Sequence, residues 1–232
     1  GNPIYVCFFT TPDFPDYVYN NLDLESESNC STNDSDLCGE CAGDNSCIPY
    51  LVSSTLPILP VNDIFPLRSD PYKMEFNVPL NPVSWIIGLE ITSHLYGDTL
   101  DVRKNIINDS KDAEISFNHL TSGDTIMINI KSGNLIAKDN QQYIMGKVYS
   151  DTSWTYSVQY VGDYNHDWEI DEDDIDLLTE YWGEDIKYEL GPCVDGPCQA
   201  SDVPYLTPDF DDKWDIEDLM AFILMYKWSA RT

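Results

Sequence analysis

Between residues 56 and 161, apolar and polar side chains alternate along short runs of the chain. Every second residue is apolar within 73-KMEFNV-78, 124-DTIMINIK-131 and 152-TSWTYSVQYV-161, and turn-forming sequences such as 121-TSGD-124 separate such runs. A period of two places alternate side chains on one face of a strand. About seven short strands joined by turns predict a mainly-β fold, a β-sandwich of two facing sheets.

Two segments of this region carry a resemblance to a known family. The sequences 74-MEFNVPLNPVS-84 and 120-LTSGDTIMINIKSGNLIAKDNQQY-143 are similar to the strand signatures of bacterial Ig-like modules, which repeat along secreted and surface proteins. The resemblance spans residues 70 to 160 and implies an Ig-like β-sandwich with a spacer, adhesive or positioning role. It brings no catalytic residues. We therefore predict an Ig-like domain over residues 56–161.

After residue 162 the apolar period changes from strand to helix. Ile175, Leu178 and Trp182 fall at i, i+3 and i+7, which predicts a short amphipathic helix. A second helix is predicted from apolar residues at i, i+3, i+4 and i+7, namely Leu219, Phe222, Ile223 and Tyr226. The sequences 171-DEDD-174 and 215-DIED-218 place an aspartate at the N-cap of each helix, where it can accept from unpaired backbone N–H groups.

Oxygen-bearing side chains precede the first helix at the spacing of a calcium loop. An EF-hand-type loop supplies ligands from positions 1, 3, 5, 7, 9 and 12, the seventh through its backbone carbonyl. Counted from Asp163, those positions hold Asp163, Asn165, Asp167, Glu169, Asp171 and Asp174. Ile170 gives the loop an apolar anchor just before the helix. The spacing predicts a Ca²⁺ site.

A second copy appears when the two capped helices are overlaid. The loop is then 207-TPDFDDKWDIED-218, with predicted ligands Thr207, Asp209, Asp211, the Lys213 carbonyl and Asp218. Thr is a weaker ligand than Asp, so this second site is expected to bind Ca²⁺ more weakly. The alternative is a solvated acidic face, since the chain has 41 Asp plus Glu against 12 Lys plus Arg. Two loops in phase with their helices favour metal binding.

The duplicated loop and helix resemble dockerin domains, in which each Ca²⁺ loop leads into a helix without an entering helix. The resemblance covers residues 162 to 229. It implies as calcium ligands Asp163, Asn165, Asp167 and Asp174 in the first repeat, and Asp209, Asp211 and Asp218 in the second. Two features depart from the family: position 6 is Trp168 or Asp212 instead of Gly, and the long link between repeats carries 191-GPCVDGPC-198. We predict a small α-helical, dockerin-like module over residues 162–232.

Seven cysteines indicate disulfides and an oxidising compartment. Six are disulfide candidates: Cys30, Cys38, Cys41, Cys47, Cys193 and Cys198. Two Gly-Pro turns bracket Cys193 and Cys198, so we expect these two to pair. Cys7, within the predicted strand 4-IYVCFF-9, is the expected unpaired thiol. Residues 1–55 thus form an N-terminal strand and a Cys-rich segment.

The Cys-rich run 36-DLCGECAGDNSC-47 contains a C-x-x-C motif, which leaves zinc binding or redox chemistry open. No His lies nearby to complete a zinc site, and the βαβ setting of a thioredoxin-like motif is absent. The run resembles the D-x-C-G-x-C-x-G-D-x-x-x-C inserts of secreted multi-module proteins. A structural disulfide is therefore favoured.

Charge and motif content exclude several functions. A formal net charge of −29 opposes nucleic-acid binding. No apolar run is long enough to predict a transmembrane helix. The three histidines lie in no recognisable nucleophile motif, so no catalysis is expected. Fifteen Tyr and six Trp would allow a carbohydrate-stacking platform, but core packing is the favoured use.

These observations predict a secreted, non-catalytic module with a structural or adhesive role, stabilised by calcium. It would belong to a bacterial cell-surface or extracellular assembly and bind another protein or further copies of itself. The strand 4-IYVCFF-9 could pair with a neighbouring sheet edge to build a fibre. The alternative is the accessory docking region of a secreted carbohydrate-active enzyme, attached to a scaffold through the dockerin-like tail.

Overall fold

The computed structural model describes residues 36–40, 43–57, 64–97, 100–107 and 111–231. Cys7, Cys30, Cys41 and the predicted strand 4-IYVCFF-9 lie outside these residues, so the statements made about them stay predictions. The elements are, in chain order, β1 (Leu51–Ser54), β2 (Ile64–Phe65), β3 (Tyr72–Phe76), α1 (Pro82–Gly88), β4 (Leu89–Ser93), β5 (Val102–Ile106), β6 (Asp112–Phe117), β7 (Thr125–Ile130), β8 (Thr152–Val158), α2 (Glu172–Tyr181) and α3 (Ile216–Ser229).

The strands form two four-stranded sheets, as the alternating pattern predicts. The strand order is β1-β3-β6-β5 in the first sheet and β2-β8-β7-β4 in the second. Neighbouring strands are antiparallel, except that β2 and β8 are parallel. The prediction of a mainly-β sandwich is therefore confirmed.

Alternate side chains of both sheets fill one core. Ile126, Ile128 and Ile130 of β7 are fully buried, and so are Met74 and Phe76 of β3. All five belong to a single hydrophobic cluster. Burying one such side chain stabilises the fold by about 1.5–3 kcal/mol. Burial of these alternating apolar side chains is thus the main driving force for the folding of this domain.

Helix α1 interrupts the strands and is not predicted by the period-two pattern. Its N-cap is Asn81, whose side chain accepts hydrogen bonds from the backbone N–H groups of Val83 at 3.0 Å and Ser84 at 3.1 Å. Pro82, in the first turn, needs no such acceptor. Trp85 is fully buried and contacts Phe76 edge to face, with ring centroids 5.9 Å apart. The Asn-Pro pair is the sequence signal for this helix.

The two predicted C-terminal helices are present, with the predicted caps. Asp171 accepts from the backbone N–H of Asp173 at 2.9 Å, and Asp215 from that of Glu217 at 2.8 Å. Each helix also has the reciprocal bond of a capping box. Within the described ranges, no helix is long and apolar enough to cross a membrane.

The inward faces of these helices differ in part from the predicted ones. Leu178 and Phe222 are buried as expected. Three other residues of the predicted apolar faces remain 36–40% exposed: Ile175, Trp182 and Ile223. Fully buried positions on α3 are taken instead by Ala221, Met225 and the carboxylate residue Asp218. The apolar period alone could not predict this face, because it gives no sign that the carboxylate of Asp218 points inward.

The C-terminal module packs against the sandwich. Ser122 N donates to the Leu206 carbonyl at 2.7 Å. The hydroxyl groups of Thr121 and Thr207 are hydrogen-bonded at 2.7 Å. Leu67 packs against both hydrophobic clusters, that of the sandwich and that of the module. The two hydrophobic clusters are therefore in contact with each other.

Two disulfides are formed within the described residues. Cys193 bonds to Cys198, as predicted, and Cys38 bonds to Cys47. Asp36 fixes the turn around the Cys38–Cys47 disulfide by accepting hydrogen bonds from the backbone N–H groups of Cys38 and Asn45. Because Cys38 is already in a disulfide, it is not available as a zinc thiolate or as half of a C-x-x-C redox pair.

Candidate metal centre

The first loop wraps around the carboxylate of Asp163, which is fully buried. Its Oδ1 accepts from Asp167 N and its Oδ2 from Trp168 N, each at 3.2 Å. Trp168 stands at position 6, where EF-hand-type loops have Gly, and adopts φ of +74°. The left-handed backbone conformation for which EF-hand-type loops use glycine is thus adopted by Trp168.

The carboxylate of Asp174 closes the same loop from the first turn of α2. It is fully buried, and its Oδ1 accepts from Tyr164 N at 2.7 Å and Asn165 N at 3.3 Å. Its Oδ2 accepts from Asp171 N at 3.2 Å. One side chain therefore ties the beginning of the loop to its end.

Asn165 and Asp167 line the exposed side of the loop. Asn165 Oδ1 accepts from Asp167 N at 3.0 Å, and Asn165 Nδ2 donates to Asp167 Oδ2 at 3.0 Å. Asp167 Oδ1 accepts from Glu169 N at 2.9 Å. In this arrangement the predicted ligand oxygens accept hydrogen bonds from the loop itself. Among the described residues, no group of three or more His, Cys, Asp or Glu side chains is gathered as a metal site.

The electrostatics of the first loop leave a negative charge unbalanced. Burial raises the pKa of the Asp163 carboxyl, and the nearby Asp174 carboxylate raises it further. Burial likewise raises the pKa of Asp174, with repulsion from Asp167 adding to it. No Lys or Arg of the described residues forms an ion pair with a carboxylate of this loop. Buried carboxylates without a cation are costly, so the residues present fit a divalent ion.

A second loop with the same hydrogen bonds precedes α3, but two separate segments form it. Asp218 is buried, and its Oδ1 accepts from Leu190 N at 2.8 Å and Gly191 N at 2.9 Å. Its Oδ2 accepts from Asp215 N at 2.7 Å. These bonds correspond to those that Asp174 makes in the first loop. Leu190 and Gly191 thus stand at positions 2 and 3.

Position 1 of the second loop is occupied by Glu189. This side chain is buried, and its Oε1 accepts from Asp211 N at 3.1 Å, as Asp163 does from Asp167 N. Burial raises the pKa of Glu189 to about 7, although the neighbouring Arg68 guanidinium acts in the opposite direction. Asp212, at position 6, adopts φ of +64°.

Residues 192–209, which we call the excursion, separate the two segments of the second loop. Val194 N donates to the Thr207 carbonyl at 2.9 Å, and the Cys193–Cys198 disulfide lies within the excursion. The hydroxyl of Thr207, predicted at position 1, is bonded to Thr121. The carboxylate of Asp209, predicted at position 3, lies 3.9 Å from His119 Nδ1. The structure therefore brings neither side chain to the second loop.

Three acids of the second loop contact cations: Glu189, Asp211 and Asp212. Arg68 follows β2, and its Nη1 lies 3.0 Å from Glu189 Oε2. Its other terminal nitrogen contacts Asp212, and its guanidinium lies over the Phe210 ring at 5.2 Å. The ammonium of Lys213 contacts the Asp211 carboxylate.

Sequence reasoning missed Glu189 and Arg68. The search assumed a continuous loop, which placed Thr207 where the structure has Glu189. The one local signal is that Glu189 is followed by Leu190 and Gly191 directly before the disulfide loop. Arg68 is 121 residues from Glu189 along the chain, so no local pattern links the two.

The aromatic side chains near this centre pack on one another. Tyr181 and Tyr188 stack with ring centroids 3.8 Å apart, and Trp182 contacts Trp214 at 5.0 Å. Tyr164 packs edge to face on Tyr181 at 5.6 Å. These contacts agree with the favoured use of aromatic residues in packing.

Comparison with known proteins adds little to this geometry. No protein-family model matches the sequence, and no curated protein matches it. Among solved structures, 17 chains match. One is the crystal structure of CopC from Methylosinus trichosporium OB3b, with a TM-score of 0.33 and 10% identity over 48% of this chain and 93% of that chain. A likeness of that extent carries no argument about function.

Proposed function

We propose that this chain is a non-catalytic extracellular module with a structural or adhesive role, stabilised by calcium in a dockerin-like C-terminal module. It would serve in a bacterial cell-surface or extracellular assembly. The two disulfides support an oxidising location. The resemblance of the sandwich to Ig-like modules supports a spacer role.

The observation that carries the calcium proposal is the buried pair of carboxylates, Asp163 and Asp174. Both are shielded from water, and each of them has a raised pKa. Calcium would supply the positive charge that they lack, held by Asp163, Asn165, Asp167, Asp171, Asp174 and the Glu169 carbonyl. Asn165 and Asp167 are exposed, so their side chains can turn toward an ion.

The test is a calorimetric Ca²⁺ titration of the full chain. We expect a saturable event with a Kd no weaker than roughly 10⁻³ M, because extracellular calcium sites reach that limit. Asp167→Asn keeps the size of the side chain but removes a charged ligand, and is expected to weaken binding by about tenfold or more.

Asp173→Asn is the matched control for this titration. It removes the same charge from an exposed residue of the same segment that lies outside the predicted ligand set. Equal affinities for Asp167→Asn and Asp173→Asn would show that only general acidity attracts the ion. An absence of saturable heat and of any calcium effect on Tm would refute the calcium proposal.

One observation favours the alternative, a docking region of a secreted carbohydrate-active enzyme. A tail that docks should keep an apolar stripe exposed on one helix. Ile216, Met220 and Ile223 of α3 lie at i, i+4 and i+7 and are all exposed. This stripe lies opposite the buried face of the helix.

The two roles predict different behaviour in sedimentation over a wide range of protein concentration. A self-assembling structural module should gain mass as concentration rises, and Met220→Glu should restore the monomer if the stripe is the contact. A docking tail for another protein should remain monomeric at every concentration. In either case, Met220→Glu should change the free energy of unfolding by no more than about 0.5 kcal/mol, because the side chain is exposed.

A further inference from the structure

We propose that the guanidinium of Arg68 takes the place of a cation in the second loop, so that the chain binds one calcium ion and not two. The count of one bound calcium ion rests on the proposed calcium-binding function of the first loop. The assignment of Arg68 to the second loop stands on its own contacts.

The two loops share their hydrogen-bond framework. In each, a buried acid at position 1 accepts from the backbone N–H at position 5: Asp163 from Asp167, and Glu189 from Asp211. In each, the carboxylate at position 12 accepts from positions 2 and 3. Because this framework buries two acids in each loop, both loops have the same need for positive charge.

The second loop meets that need with side chains of the chain itself. Arg68 Nη1 lies 3.0 Å from the free oxygen of Glu189 and also donates to the Ile186 carbonyl at 3.0 Å. The same guanidinium contacts the exposed Asp212. Lys213 pairs with Asp211, so the acids at positions 1, 5 and 6 each have a cationic partner. The first loop has no such partner within the described residues.

The second loop also lacks a ligand that a calcium ion would use. Position 3 is Gly191, which has no side chain and adopts φ of +61°. A Cβ there would lie 2.9 Å from both the Asp209 carbonyl oxygen and Glu189 Oε1. Glycine is therefore required, and a ligand side chain cannot be placed at this position. Asp209, which could have compensated, faces His119.

Arg68 belongs to the sandwich, between β2 and β3, whereas every acid that it contacts belongs to the C-terminal module. The ion pair therefore also fastens the two cores together. Arg is suited to this task, because its planar fork can contact several acceptors and stack on Phe210 at the same time.

The experiment compares Arg68→Gln with native Arg68 in the full chain, each in an Asp167→Asn background that weakens calcium binding by the first loop. Calcium is the probe, and the readouts are calorimetry and Tm in chelator or in millimolar Ca²⁺. Arg103→Gln is the matched control, because it removes the same charge from an exposed position on β5.

With Arg68 present, the background chain is expected to show no calcium binding beyond the weakened event of the first loop. Arg68→Gln should lower Tm in chelator by about 10 °C, because a buried carboxylate loses its partner. It should also gain one calcium-binding event that restores part of this loss, whereas Arg103→Gln should gain none. An equal loss of Tm with and without calcium would overturn the proposal.

If the Arg68→Gln variant does not fold, the number of calcium ions bound by the native chain is still a decisive measurement. Two ions bound per native chain would overturn the proposal. One ion, unaffected by Asp211→Asn and weakened by Asp167→Asn, would support it. Failure of the calcium function alone would appear differently: the native chain would bind nothing, while Arg68→Gln would still gain its event.

Discussion

Asp174→Ala is expected to destabilise the C-terminal module by about 3 kcal/mol, since it leaves one buried and two partly buried backbone donors without an acceptor. Three N–H groups lose their partner, those of Tyr164, Asn165 and Asp171. The change also removes a predicted calcium ligand, so the added stability in calcium should largely disappear. Denaturant unfolding, with and without calcium, measures both effects.

Asp176→Ala is the control for that experiment. It removes the same charge from an exposed position two residues further along α2. Its expected effect is within about 0.5 kcal/mol, as for surface substitutions in general. If both variants unfold at the same denaturant concentration, the hydrogen bonds of Asp174 do not hold the loop.

In chelator, the free energy of unfolding is expected to fall as the pH is raised from 4.5 to 7. The pKa of Glu189 is about 7 in the folded chain against 4.5 for an ordinary glutamate. Between those values the folded chain keeps a proton that the unfolded chain has released, so stability decreases with rising pH. The full difference corresponds to about 3 kcal/mol. The raised pKa values of Asp163 and Asp174 act in the same direction.

Calcium should remove the part of this pH dependence that comes from Asp163 and Asp174, because it binds carboxylates in their ionised form. The part that comes from Glu189, in the loop occupied by Arg68, should remain. The calcium-induced rise in Tm should therefore be larger at pH 8 than at pH 5. Glu189→Gln, which cannot titrate, should flatten the curve measured in chelator. Stability that rises with pH across this window in chelator would contradict the assignment.

The sequence predicts those features that depend on neighbouring residues. The alternation around Met74 and Ile128 predicts the strands, and the aspartates at 171 and 215 predict the helix starts. These signals are local, because side-chain periodicity and capping act over a few residues. The calcium-binding role assigned to Asp163 and Asp174 stays a prediction.

Features that depend on distant residues could not be predicted in this way. The second loop is split by the excursion, so counting back from Asp218 reached Thr207 and missed Glu189. Arg68 acts on that loop only after the sandwich and the module have packed together. The buried face of α3 differs from the predicted one for a related reason. Asp218 points inward to accept hydrogen bonds from the backbone N–H groups of Leu190 and Gly191.

The split second loop shows how a binding loop can be interrupted without losing its shape. Its two halves are joined by the carboxylate of Asp218, and the chain that connects them can therefore vary in length. Doubling the length of a flexible connection costs only about 0.6 kcal/mol. Ala200, an exposed residue of the excursion outside the Cys193–Cys198 disulfide loop, is accordingly a place where a peptide tag could be inserted.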